Sequence, residues 1–148
     1  MTKDDLIREL RLDGIVRGTK PCYFTLKKNP GNVYTGKTAN YIVALSNGSL
    51  LFNKMSIFDK LKKSGHFKVD LKDIKEYALV EQKMFSVLYL YFDDKSFIPL
   101  VYQNQNRFNS TTQRNVVGLV EEFEKLGIKK IRWGLWVKSH LHKPKKIW

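Results

Sequence analysis

The stretch from Phe85 to Gly127 limits the possible folds of this chain more than any other, because three local patterns follow one another in it. Segments 85–92 and 97–102 are rich in aromatic and β-branched residues, which is typical of strands. The four polar residues between them suit a turn. After a polar stretch, apolar residues recur at helical spacing and form one stripe: Val116, Leu119, Val120, Phe123 and Leu126. Gly127 stands where a left-handed helix cap is expected, so the sequence predicts a β-hairpin followed by one amphipathic helix.

Earlier parts of the chain predict further strands in hairpin succession. Segments 41–45 and 49–52 flank Asn47-Gly48, the dipeptide most typical of a two-residue hairpin turn. About seven strands before one terminal helix favour an α+β domain with antiparallel sheets. We expect the strands to form a barrel and the helix to close one end of it. The remaining predicted strands are 22–26, 67–71 and 74–81.

The length of 148 residues suits one domain with a core of its own. We expect three parts along the chain: a helix and its connection over 1–20, the folded domain over 21–128, and a basic, Trp-containing extension over 129–148. The first helix is predicted at 2–13, where an apolar stripe precedes Gly14. A helix of about three turns is marginal alone, so it should dock on the domain.

The formal net charge of +13 is distributed unevenly. Residues 129–148 contribute seven of these charges, since they hold seven basic residues and no acidic one. A segment of this kind attracts nucleic acid and anionic membranes alike. Charge therefore indicates a polyanionic partner without choosing between the two classes.

Several sequence features bear on where the protein works. Its longest apolar runs are far shorter than the ~20 residues that a membrane-spanning helix needs, and its first residues lack the apolar core of a secretory signal. One cysteine, Cys22, excludes an internal disulfide. We therefore expect a cytoplasmic protein that could also associate with a membrane surface.

Residues from about 41 to 127 resemble the pleckstrin-homology-like domains of bacteria, which are relatives of the GRAM type. The matching features are segment 41–52, segment 67–74, the hairpin over 85–102 and the final helix. The resemblance implies a barrel of about seven antiparallel strands capped by a C-terminal amphipathic helix, and no catalytic signature. Phosphoinositide-binding members of this family resemble one another in a basic pattern over the first two strands and their loop. Here that pattern corresponds to Lys27, Lys28 and Lys37.

The sequence contains no combination of residues typical of catalysis or metal binding. Cys22 lies in a predicted strand between apolar neighbours, which is typical of a small core residue. His140 and His142 could face one side of an extended segment, but no third ligand is spaced to complete a zinc site with them. The acidic residues at 121, 122 and 124 lie off the apolar stripe and are expected to face solvent. We predict no catalytic residue, no metal and no cofactor.

The extension over 129–148 allows two interpretations. Apolar residues alternate over 131–137, which suits an extra strand that docks on the domain with Trp133 and Trp136 buried. The same Trp residues beside basic ones would also suit a membrane interface or stacking on nucleic-acid bases. The sequence leaves both interpretations open.

From these patterns we expect a non-catalytic binding or adaptor module that recruits a protein partner or an anionic surface. The alternative is a nucleic-acid-binding accessory protein that uses the basic extension. The candidate anion-binding residues are Lys27, Lys28, Lys37, Arg132, Lys138, Lys143, Lys145 and Lys146.

Overall fold

A computed structural model describes residues 19–27, 38–56, 62, 65–92, 96–104, 110–131 and 145–146. These residues form nine strands, one α-helix and one 3₁₀ turn. The strands are β1 (Thr19–Lys27), β2 (Thr38–Ser46), β3 (Ser49–Met55), β4 (Phe67–Asp70), β5 (Ile74–Glu81), β6 (Phe85–Phe92), β7 (Ser96–Gln103), β8 (Lys129–Lys130) and β9 (Lys145–Lys146). The 3₁₀ turn spans Leu71–Asp73, and the helix, α1, spans Ser110–Lys125. The helix predicted at 2–13 lies outside the described residues.

The nine strands belong to one mixed sheet. Its order is β4-β3-β2-β1-β7-β6-β5-β8, with β9 beside β7. Strands β1 to β7 pair antiparallel, whereas β8 and β9 pair in parallel with β5 and β7. Each of the seven segments predicted as a strand is one, and β1 begins earlier than expected, at Thr19 within the predicted connection.

The predicted barrel of seven antiparallel strands is wrong. The described sheet is open: β4 and β8 stand at its two ends and do not pair with each other. The sheet is also mixed, because the two short lysine strands join it in parallel. In the sequence, each of these strands is only a pair of positively charged residues. Because strands pair through backbone groups, such a segment can still extend a sheet.

Helix α1 packs on one face of the sheet, chiefly against β1, rather than plugging a barrel end. Its predicted stripe is confirmed for Val116, Leu119 and Phe123, which are fully or almost fully buried in the main core. Val120 is only partly buried. Leu126, the last residue of the stripe, is 59% exposed.

The exposure of Leu126 follows from how the helix ends. Gly127 has a φ of +77°, which confirms it as the left-handed cap. The N–H of Ile128 donates to the carbonyl of Phe123 (3.0 Å) and that of Gly127 to Glu124 (3.1 Å). These two bonds form a Schellman motif, which turns the chain away and leaves Leu126 outside the buried stripe.

Strands β5, β6 and β7 are covered on both faces. One face belongs to the main core with α1. On the other face a second buried cluster contains Tyr89, Tyr91 and Phe97, with Ile131 packed against it. Burial on both sides explains why β6 is a continuous apolar and aromatic run rather than an alternating one.

Candidate binding groove

An open groove of about 530 Å³ lies between the β2–β3 turn and the C-terminal end of α1. Four segments line it: 47–49, 70–72, 74–75 and 126–128. They come from distant parts of the sequence, and the sheet and helix bring them together. The groove therefore depends on the whole fold rather than on a local motif.

The first wall is the hairpin turn at Asn47-Gly48, which confirms the predicted hairpin. Both residues have positive φ, +48° and +79°, as a type I′ turn requires. A Cβ atom added to Gly48 would meet nothing within 4 Å, so this wall leaves the backbone accessible. The carbonyl of Gly48 accepts a hydrogen bond from the N–H of Leu71 (2.9 Å), which fixes the turn to the neighbouring segment.

Asp70 is an acidic group in the lining whose charge is compensated within the protein. The hydroxyl of Ser49 donates a hydrogen bond to Asp70 Oδ1 at 2.7 Å. This bond lowers the pKa of Asp70 below its ordinary value. Desolvation opposes it, and the positive charges of Lys68 and Lys72 lower the pKa further. Asp70 therefore stays ionised at neutral pH and helps to hold its two walls together.

Lys72 and Lys75 line the groove where the 3₁₀ turn passes into β5. Leu71 and Ile74 are three apart and both are buried in the core. Lys72 and Lys75 follow the same spacing and both line the groove with exposed side chains, whereas Asp73 does not line it.

The opposite wall is the end of α1. Leu126 is one of the most exposed large apolar side chains among the described residues, at 59%. Gly127 beside it again has open space where a Cβ would stand. The groove thus combines lysine side chains, one exposed leucine and two glycines, Gly48 and Gly127.

Cys22 and His66, two residue types that often take part in catalysis, do not line the groove. Cys22 is confirmed as a core residue: it is fully buried, and burial raises the pKa of its thiol. His66 already uses both ring nitrogens, since Nδ1 accepts from the Lys54 N–H (2.9 Å) and Nε2 donates to the Lys62 carbonyl (2.8 Å). Within the described ranges, no group of three or more His, Cys, Asp or Glu residues is placed to hold a metal ion.

Three of the predicted anion-binding positions converge along one edge of β7. Strand β6 pairs with β7 along one edge, so β1 and β9 share the other. Strand β9, Lys145–Lys146, pairs with the first two residues of β7. Lys27 ends β1 two residues beyond the Thr25–Val101 pair, toward the same end of β7. The other predicted positions lie outside the described residues: Lys28, Lys37, Arg132, Lys138 and Lys143.

The sequence predicted that the acidic residues of α1 face solvent, but two of its glutamates form hydrogen bonds within the protein. Glu122 accepts a hydrogen bond from Lys20 Nζ at 3.0 Å and forms a salt bridge with it. Glu124 accepts one from the buried Tyr77 hydroxyl at 3.2 Å. Lys125 Nζ also lies 3.5 Å from Glu122 Oε1, three residues earlier. Lys20 and Tyr77 lie 102 and 47 residues away from these glutamates in the chain, so helical spacing alone could not reveal the two contacts.

Sequence reasoning missed the groove itself. Its one local signal was the Asn47-Gly48 turn. Lys72, Lys75 and Leu126 look like ordinary surface and core residues until the fold places them together.

Comparisons with known proteins do not assign a family to the chain. No model of a known protein family matches it, and no curated protein does. Among solved structures it is similar to the hSac2 domain from human phosphoinositide phosphatase Sac2, with a TM-score of 0.47 and 14% sequence identity over 89% of this chain and 90% of that one. In the described part of the chain, no helix has the length and apolar content that crossing a membrane requires.

Proposed function

We propose that this chain is a non-catalytic binding module that recruits a protein partner through the groove. The observation that carries the proposal is the combination of exposed lysines and an exposed leucine in one concave site. Ligand sites in proteins are typically concave, of roughly 300–1,000 Å³, and mix apolar surface with a few polar groups. The groove meets each of these conditions.

The way the walls are built supports the same function. The Leu71–Gly48 and Ser49–Asp70 hydrogen bonds connect the hairpin turn to the 3₁₀ turn. The Schellman motif fixes the end of α1. A site whose walls are already ordered loses little conformational entropy on binding, which favours affinity.

A second candidate function, recruitment to an anionic surface, is favoured by the convergence of Lys27 with β9 along β7. Positions that are 118 or more residues apart in the sequence lie toward one end of a single strand. The net charge of +13 would add long-range attraction to any polyanion.

Three binding measurements on the full chain test these functions. We expect selection from a displayed library of random linear peptides to enrich a defined set of sequences that bind the purified protein. Phosphatidylcholine vesicles with and without phosphatidylserine test the anionic surface, and single-stranded and duplex DNA test nucleic acid. Failure to enrich any peptide would contradict the proposed protein-recruiting function.

The polyanion measurements have their own control. A Lys27→Glu, Lys145→Glu, Lys146→Glu variant should lose binding to phosphatidylserine vesicles if the second function holds, and added salt should weaken that binding steeply. Lys83→Glu, an exposed change at the β5–β6 turn, should leave it nearly unaltered. Tighter binding to DNA than to vesicles would instead support a nucleic-acid accessory protein.

A further inference from the structure

The charges in the groove restrict what can enter it. Lys72 and Lys75 supply positive charge on one wall. Asp70 supplies a negative charge beside Lys72, where Ser49 and Lys68 help to compensate it. The two lysine charges outweigh the one carboxylate charge, so the groove attracts an anionic group. The carboxylate side chain of Asp or Glu is the anion that an unmodified protein partner supplies.

The apolar part of the groove restricts the ligand further. Leu126 is exposed on the wall formed by the end of α1, in the same groove as the two lysines. Covering an exposed leucine contributes favourably to binding. Gly48 and Gly127 leave open space where a side chain would otherwise stand, so a second backbone can approach both walls. A single extended chain can enter such a concave site, whereas a broad membrane surface does not match its shape.

We infer that the groove binds an extended peptide segment of a partner protein in which a carboxylate side chain lies close to an apolar side chain. The carboxylate contacts the ammonium groups of Lys72 and Lys75, and the apolar side chain covers Leu126. This inference rests on the proposed function, because it names the chemistry of the partner that the module would recruit. It also fits the excess positive charge of the chain, which steers acidic partners toward it.

The test uses the peptides enriched by the full chain and a pair of matched variants. The groove variant combines Lys72→Glu with Leu126→Ser. The control combines Lys83→Glu with Met84→Ser, which makes the same changes at exposed residues, since Met84 is 77% exposed. The control changes lie beyond the far end of β5, on the order of 25 Å from the groove at ~3.3 Å per strand residue. Melting temperatures equal to that of the unchanged chain would show that both variants are folded.

We expect the enriched peptides to combine Asp or Glu with Leu, Ile, Val or Phe within a few residues. We also expect the groove variant to bind them at least about tenfold more weakly, and the control to bind them as the unchanged chain does. A matched peptide with Gln and Asn in place of its acidic residues should bind the unchanged chain more weakly by a similar factor.

The other outcomes separate this inference from the function beneath it. If peptides are enriched but lack acidic residues, or bind both variants equally, the inference fails while a peptide-binding module stands. If no peptide is enriched, both fail. If only phosphatidylserine vesicles bind, and they bind more weakly to the groove variant, both also fail and the groove belongs to an anionic surface.

Discussion

The two edges of β7 are held in different ways. Along one edge, β6 forms seven successive residue pairs, from Phe85–Gln103 to Tyr91–Phe97. Along the other edge, β1 forms a single pair, Thr25–Val101. Pro99 lies within β7 and has no backbone N–H, so β7 cannot complete hydrogen-bond ladders along both edges.

Helix α1 holds the part of β1 that does not pair with β7. The buried N–H of Tyr23 donates to the Thr112 hydroxyl at 2.9 Å. The Asn115 side chain donates to the Pro21 carbonyl at 2.8 Å. Lys20, in a left-handed conformation with φ of +54°, reaches Glu122 on the helix. The β6 edge thus depends on backbone pairing. The β1 edge depends on particular side chains and should be more sensitive to single substitutions.

The largest effect is expected from Phe123→Ala, which removes the buried aromatic side chain of α1. Phe123 is fully buried and its ring centroid lies 5.5 Å from that of Tyr77 on β5. We expect a loss of about 3–5 kcal/mol in the free energy of unfolding, because a large cavity forms in the core. Urea denaturation measures it, with Val117→Ala, 59% exposed on the same helix, as a control expected within about 0.5 kcal/mol. A loss below ~1 kcal/mol for Phe123→Ala would mean that α1 does not hold β1 through the core.

A chain truncated after residue 128 tests the other part of the comparison, the paired strands β5 to β7. It lacks β8 and β9, which add backbone pairs to β5 and β7. It also lacks Ile131, whose N–H donates to the Tyr77 carbonyl at 2.9 Å and whose side chain packs on the second cluster. We expect a loss of at least about 2 kcal/mol, the scale of uncovering one large aliphatic side chain, and a lower melting temperature. An unchanged melting temperature would show that the β5–β7 strands need nothing from the C-terminal residues.

Thr112→Val isolates one of the side-chain bonds to β1. The change keeps the shape of the side chain but leaves the buried N–H of Tyr23 without its acceptor. We expect a loss of about 1–3 kcal/mol, the cost of an unsatisfied buried donor. Thr112→Ser, which keeps the hydroxyl, should lose less.

Amide hydrogen exchange sharpens the same prediction. In Thr112→Val, exchange at Tyr23 should accelerate more than exchange at Leu88, which lies in the β6–β7 ladder. Equal acceleration at both amides would show only a global loss of stability. The β1 edge would then be no less stable locally than the β6 edge.

The difference between the two edges also explains what the sequence could predict. Seven strand segments, the Asn47-Gly48 turn and the buried stripe residues Val116, Leu119 and Phe123 depend on neighbouring residues, and these were predicted correctly. The arrangement of β1, β7 and α1 depends on bonds such as Lys20–Glu122, which join residues about 100 positions apart. The periodicity of a sequence does not reveal such pairs. We therefore expected a closed barrel, whereas the described sheet is open.

The groove and the lysine positions follow the same rule. Lys72 and Lys75 differ from other surface lysines only through the 3₁₀ turn and the helix end that faces them. Strand β9 consists of two lysines, which sequence patterns indicate as solvated charge. It pairs with β7 through backbone groups, so its side chains do not indicate this pairing.

The smallest expected effect concerns the ion pair at the β1 edge and depends on pH. The hydrogen bond from Lys20 to Glu122, with the nearby positive charges of Lys125 and Lys20, lowers the pKa of Glu122 below its ordinary value of 4.5. A carboxyl group whose pKa is lower in the folded state stabilises the fold above its unfolded pKa. That contribution is lost as the pH falls through the folded pKa. The melting temperature should therefore decline below about pH 4.5, and Glu122→Gln should make this decline shallower.

The size of the change distinguishes a pair that holds β1 from one that merely lies at the surface. Glu122 is about one third exposed, with Lys20 similar, so solvent screens their attraction and the effect at pH 7 should be a small shift in melting temperature. Glu121→Gln, one residue earlier and exposed, is the matched control and should preserve the acid slope of the unchanged chain. If Glu122→Gln and Glu121→Gln show the same slope, the Lys20–Glu122 pair does not stabilise the β1 edge. The contacts of Thr112 and Asn115 would then be the polar bonds that hold β1 to the helix.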